Sequence, residues 1–166
     1  MKKIMILLLA IGFFAACTTN EPVRYASSSP EIDTVKKLFQ SYLEQDWDSY
    51  KLYYADTAKI HWNVPQNQGV SFNQIIEANK ETFSIFSNIR FAPDHDFFEM
   101  VITDDGEKWV NYWGVWEATL NANGQRFEMP LHLTSQFIDG KVVVEHGYYD
   151  VSQIALVMGE LSAQSE

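Results

Sequence analysis

Apolar positions recur at helical spacing in three stretches and then give way to strand-like alternation. Ile32, Val35, Leu38, Phe39, Tyr42 and Leu43 share one helical face. The entry to that helix is Ser29-Pro30-Glu31, where serine caps, proline fits the first turn and glutamate suits the positive end of the dipole. Asp46-Trp47-Asp48 interrupts the period and restarts it, with Asp46 capping a short second helix that carries Trp47, Tyr50, Tyr53 and Tyr54. A short strand follows near Ala58 to Asn63, ended by Pro65 and its polar neighbours. Ser71 with Gln74 makes a capping-box pattern, after which Phe72, Ile75, Ile76, Asn79, Phe83 and Phe86 predict a third amphipathic helix. Asp150 with Gln153 marks the start of a last helix bearing Ile154, Val157, Met158 and Leu161.

From Phe91 to Tyr149 the chain reads as four strands joined by turns at Asp104-Asp105-Gly106, Asn121 to Gly124 and Asp139-Gly140. With two-residue loops at Asp105-Gly106, Asn123-Gly124 and Asp139-Gly140, cross-strand partners are counted outward from each turn. Val101, Val110, Phe137 and Val142 then form one row. The same face continues with Glu99, Tyr112, Ser135 and Val144, then with Phe97, Gly114, Leu133 and His146, and last with His95, Trp116, Leu131 and Tyr148. Trp109, Trp113, Glu117, His132, Thr134, Gln136 and Glu145 fall on the opposite face. A β-bulge would shift a strand by one and invert its faces.

Composition narrows the picture. The 166 residues, 46% of them hydrophobic, suit one α+β domain with a substantial core. Net charge is −10, which argues against nucleic acid as a partner, because phosphate contacts need clustered Lys and Arg. The single cysteine excludes an internal disulfide framework. Lys2-Lys3 followed by the apolar run Ile4 to Ala16 describes a secretory leader. Phe14-Ala15-Ala16-Cys17 resembles the bacterial lipobox, with Phe14 where leucine is usual. That resemblance implies a signal peptide over residues 1–16, a membrane anchor on lipidated Cys17 and a place in the cell envelope. Thr18 after the cysteine favours, by analogy, the outer membrane, with the protein facing the periplasm. Residues 17–29 then read as a disordered tether, 30–160 as the domain and 161–166 as a tail.

Helix, short helix, strand, helix, four-stranded meander and terminal helix is an order similar to that of the NTF2-like superfamily. Gln45-Asp46-Trp47-Asp48, Tyr54-Ala55-Asp56 and Ile60-His61-Trp62 resemble its passage from the second helix into the first strand. Phe137-Ile138-Asp139-Gly140-Lys141 and Tyr149-Asp150-Val151 resemble the closing hairpin and last helix start of SnoaL-like polyketide cyclases. The resemblance implies a cone, a curved and mostly antiparallel sheet wrapped around a pocket between N-terminal helices and a C-terminal helix. Trp62 stands where ketosteroid isomerases carry their aspartate base. Tyr42, Trp62 and His95 match positions of the scytalone dehydratase site, while Leu43 replaces its neighbouring acid.

The counted rows bring His95, Glu99, Tyr112, His146 and Tyr148 to one face with Trp116. A carboxylate beside an imidazole in an apolar pocket suits general acid–base chemistry, so Glu99 with His95 or His146 is the candidate catalytic set. Tyr42, Trp62, Tyr112, Trp116 and Tyr148 are the candidate ligand contacts. The competing reading is that Glu99 accepts the Tyr112 hydroxyl and His146 bonds the backbone, as buried polar groups ordinarily do. No metal is expected at Asp94-His95-Asp96, because strand alternation separates the histidine from both aspartates. No cofactor motif and no G-x-S-x-G nucleophile motif is present. Three functions stay open: a lipid-anchored binder of a small apolar molecule, a cofactor-independent isomerase, cyclase or dehydratase, and a structural homodimer paired through its Trp109 and Trp113 face.

Overall fold

The computed structural model describes residues 24–164. The leader, Cys17 and the first part of the tether lie outside the described residues. Strand β1 (Tyr25–Ala26), within the stretch expected to be a tether, pairs instead with Met100 and Val101.

The helices start where their caps dictate. In α1 (Pro30–Glu44) the Ser29 hydroxyl accepts the Ile32 N–H at 3.1 Å, and the helix buries Ile32, Val35, Leu38 and Phe39. Gln45 ends it in the left-handed conformation. Asp46 then caps α2 (Trp47–Leu52), accepting from Ser49 N. Helix α3 (Phe72–Ile85) carries the full Ser71/Gln74 capping box. It ends one residue early, because Phe86 opens a strand rather than closing the helix. Helix α4 (Ser152–Gln164) follows Asp150, whose carboxylate accepts the Ser152 N–H at 2.8 Å. Among the described residues no helix is long and apolar enough to cross a membrane.

The strands β2 (Tyr54–Trp62), β3 (Phe86–Phe91), β4 (Phe97–Ile102), β5 (Lys108–Leu120), β6 (Arg126–Ile138) and β7 (Lys141–Tyr149) join β1 in one mixed sheet. Its order is β1-β4-β5-β6-β7-β2, and β3 pairs with the far half of β5. Among the described strands only β2 on β7 is parallel. The two long strands β5 and β6 form the spine, and the helices cover one face, where Ile60, Val110, Tyr112, Leu120 and Val142 are almost wholly buried. A 2.6 Å ion pair from Lys108 to the mostly buried Glu31 ties the start of α1 to β5.

Strand registers decide which side chains enter this core, and they differ from the count out of two-residue turns. At the first turn the closing pair is Thr103 with Glu107 around a three-residue loop, with Gly106 at φ +80°. Met100 therefore faces Val110 and Glu99 faces Asn111, so every side chain of β4 lies on the face opposite to the expected one. At the second turn the offset is two residues, pairing Trp116 with Met129, and the faces survive. In the last hairpin Phe137 faces Val142 as expected, but Gln136 faces Val144, which leaves Val143 as a bulge. Beyond it Glu145, Gly147 and Tyr149 turn inward while His146 and Tyr148 turn outward.

Candidate functional site

The space between the helices and the inner sheet face is a cavity of about 290 Å³. Helices α1, α2 and α3 bring Tyr42, Tyr50 and Asn79 to its wall, and the sheet brings Trp62, Trp116, Glu145 and Tyr149. Leucine, phenylalanine and methionine side chains with Thr82, Val151 and Ile154 complete the lining. Among the described residues Glu145 is its one formally charged member, 3% exposed.

Each polar group is held by neighbours on other elements. The Trp62 indole donates to Glu145 Oε1 at 2.8 Å, the Ser135 hydroxyl to Oε2 at 2.9 Å, and the Tyr54 hydroxyl reaches Oε2 at 3.3 Å. The Tyr50 and Tyr54 hydroxyls meet at 3.2 Å, extending the network from Glu145 back to the cavity wall at Tyr50. Burial pushes the Glu145 carboxyl above its usual range, and the Ser135, Trp62 and Tyr54 hydrogen bonds only partly counter it. Burial likewise raises Tyr42 to about 12 and, with the nearby Glu145 charge, Tyr149 to about 12, so both phenols stay protonated at neutral pH. Trp116 Nε1 donates to the Tyr42 hydroxyl at 3.2 Å. The Asn79 amide nitrogen is buried and makes no close hydrogen bond among the described residues, although its side chain partly counters the upward push of burial on the Tyr50 hydroxyl.

A glycine makes the Trp62 contact possible. Trp62 pairs with Gly147 on β7, and a Cβ on Gly147 would lie 2.5 Å from Trp62 Cδ1 and 3.0 Å from Leu133 Cδ2. Gly147→Ala is expected to push the indole off Glu145 and cost about 2 kcal/mol through overpacking. Urea unfolding would read the loss, and a shifted indole N–H resonance would locate it.

Of the residues expected from sequence, Tyr42, Trp62 and Trp116 line the cavity. The expected acid–base set does not assemble. Glu99 lies on the outer face and accepts from Asn111 Nδ2 at 3.0 Å, because the three-residue turn inverted its strand. His146 and Tyr148 are outside because of the Val143 bulge, and Tyr148 is 55% exposed. His146 stacks on His61 at 4.9 Å between centroids, and burial with the neighbouring His61 lowers its pKa. His95 ends a 3₁₀ turn, Pro93–His95, rather than lying in a strand, and borders an open outer groove with Trp113, His132 and Tyr148. Tyr112 does face inward, but its ring is sealed in the core, and its hydroxyl donates to Asp96 at 2.5 Å instead of meeting Glu99. Among the described residues no group of three His, Cys, Asp or Glu is placed to hold a metal ion.

The counted rows put Glu145 on the wrong face, and Asn79 and Tyr149, expected only as part of a helix face and a helix start, are not among the expected site residues. A signal for Glu145 was present in Gly147, which shares its face in any regular strand. A strand-interior glycine beside an inward tryptophan marks a close approach, and that turns Glu145 inward as well.

Neither a protein-family model nor a curated protein sequence matches the chain. Solved structures do. IdmH of Streptomyces antibioticus, a proposed polyketide cyclase, superposes with a TM-score of 0.61 at 19% identity over 78% of this chain and 98% of its own. An NTF2-like protein of Burkholderia pseudomallei gives 0.59 at 15% identity, covering 76% of this chain and 95% of that one. A ketosteroid-isomerase-like protein of Catenulispora acidiphila, in complex with trimethylamine, gives 0.56 at 12% identity over 72% and 87%. The fold is NTF2-like, of the kind seen in ketosteroid-isomerase-like and polyketide-cyclase-like structures, with an aromatic-rich core.

Proposed function

We propose that this NTF2-like protein binds a small, largely apolar, ring-bearing molecule in the cavity between its helices and sheet, and does so at the bacterial cell envelope through a lipid on Cys17. The observation that carries the binding reading is the cavity itself, about 290 Å³ of mostly apolar, aromatic wall with a few convergent polar groups. A structural neighbour of the same fold was solved in complex with trimethylamine, which supports a small-molecule role. N-phenyl-1-naphthylamine, a neutral dye that brightens in apolar surroundings, is expected to bind with saturable fluorescence and to be excluded by Leu131→Trp, which fills the cavity. Unchanged binding in that variant would overturn the reading. The anchor rests on the leader and the Phe14-Ala15-Ala16-Cys17 sequence. Cys17→Ser is expected to move the protein from the membrane to the soluble fraction, and unaltered fractionation would remove this part.

A second reading has its own observation. Glu145 is a buried carboxyl with a raised pKa at the cavity wall, a state suited to taking a proton from a ligand C–H and returning it elsewhere. Isomerisation, cyclisation or dehydration without a cofactor falls within that chemistry. Glu145 takes the place that sequence reasoning gave to Glu99.

A further inference from the structure

We propose that the cavity's ligand is a small organic cation, a tertiary or quaternary ammonium carrying an apolar group, whose charge is met by Glu145 and by the aromatic faces around it. This rests on the binding reading above and narrows its ligand class.

The cavity is electrostatically one-sided. Among the described residues its wall holds no Lys, Arg or His and Glu145 has no ion-pair partner. A buried carboxylate without a counter-charge is costly, and what Glu145 has instead is the set of donors from Trp62, Ser135 and Tyr54. Those donors stabilise the ionised form, while burial opposes it. A cation entering the cavity removes the conflict. An anion is repelled by it, and a neutral apolar molecule leaves it unchanged.

The rest of the wall suits the same ligand. Tyr42, Tyr50, Trp62, Phe91, Trp116 and Tyr149 line it, and the face of an aromatic ring attracts a positive charge. Methylated ammonium groups are favoured over a bare ammonium, because they cover the wall with apolar surface and have few hydrogen bonds to water to lose. Trp62 is doubly suited. Its N–H edge donates to the Glu145 carboxylate, which draws electron density toward the ring and deepens the negative potential on its face.

The test uses phenyltrimethylammonium and its uncharged carbon isostere, tert-butylbenzene, each displacing N-phenyl-1-naphthylamine from the purified protein at neutral pH. The cation is expected to bind about tenfold more tightly than the isostere, a preference in the range of desolvated cation–π and ion contacts. Glu145→Gln should abolish most of that preference while leaving the isostere's affinity within about twofold, since the shape of the cavity is kept. Equal binding of cation and isostere, or a cation preference that survives Glu145→Gln, overturns the proposal and leaves the apolar cavity reading standing. Failure of the dye itself to bind overturns both. If Glu145→Gln does not fold, the wild-type pH profile decides: the cation preference should grow as the carboxyl ionises with rising pH, and a flat profile overturns the proposal.

Discussion

Gly114→Val is expected to destabilise the domain by about 4 kcal/mol or to prevent folding outright, a loss at the upper end for single substitutions. The position carries no unusual backbone angle, so the effect comes from space alone. Tyr112 lies back across its neighbour on β5, and a Cβ at Gly114 would sit 1.9 Å from the Tyr112 hydroxyl oxygen and 2.3 Å from Cζ. Tyr112 has nowhere to go. Its ring is fully buried and packs edge-on against Phe39 at 4.7 Å and Phe91 at 5.9 Å, with Phe98 tilted against it at 4.7 Å. Moving it breaks those contacts and strands the Asp96 carboxylate that accepts its hydroxyl. Urea denaturation followed by near-ultraviolet circular dichroism reads the loss directly. Gly159→Ala is the matched control: nothing lies within 4 Å of an added Cβ there, and alanine in α4 should raise stability by up to about 1 kcal/mol. A Gly114→Val protein as stable as wild type would mean that Tyr112 is not packed as described.

Signals that act within one turn of chain are legible in the sequence, and those that depend on a single residue of loop length are not. Helices α1 to α3 were readable because capping chemistry and the 3.6-residue period act within one turn of chain, as at Ser29, Asp46 and Ser71. The existence of strands β4 to β7 was readable from alternation and from turns carrying glycine. Face assignment was a different matter, because it depends on loop length and bulges to the single residue. Asp104-Asp105-Gly106 fits a two-residue or a three-residue loop, and only the closing Thr103–Glu107 pair decides. At the other end, Val142-Val143-Val144 has no polar–apolar contrast, so nothing local marks which valine bulges out. These two events moved Glu99 and His146 out of the pocket and Glu145 into it. Tyr42, Trp62 and Trp116 were found because helix period, family-like order and the parity-preserving second turn fixed their sides independently of both events.

Glu145 should leave an inverted signature in the pH dependence of stability. Burial raises its carboxyl above 4.5, so the folded state holds this proton more tightly than the unfolded chain does. The stabilisation from that proton is complete below the unfolded value and is lost as pH climbs through the folded one. Glu31 behaves oppositely. Burial opposes its charge, but the Lys108 contact and its other hydrogen bonds prevail and lower its pKa, so it stabilises on the alkaline side. The two are separated by substitution. Relative to wild type, Glu145→Gln should gain stability as pH rises from about 4.5 toward neutrality and then level off, because the glutamine keeps the shape and never has to be ionised in the core. Glu145→Ala should follow the same pH slope, because it too lacks the titrating carboxyl, but lie about 2–4 kcal/mol below Glu145→Gln throughout, since it removes the acceptor of three donors. The Ser135 and Tyr54 hydroxyls can turn toward other acceptors, but the Trp62 indole N–H is fixed by its ring against Gly147. Urea unfolding of the three proteins between pH 4.5 and 8 distinguishes the cases. A Gln-minus-wild-type difference that stays flat across this range would mean that the carboxyl is solvated, and the cavity would then lack the buried charge on which its chemistry depends.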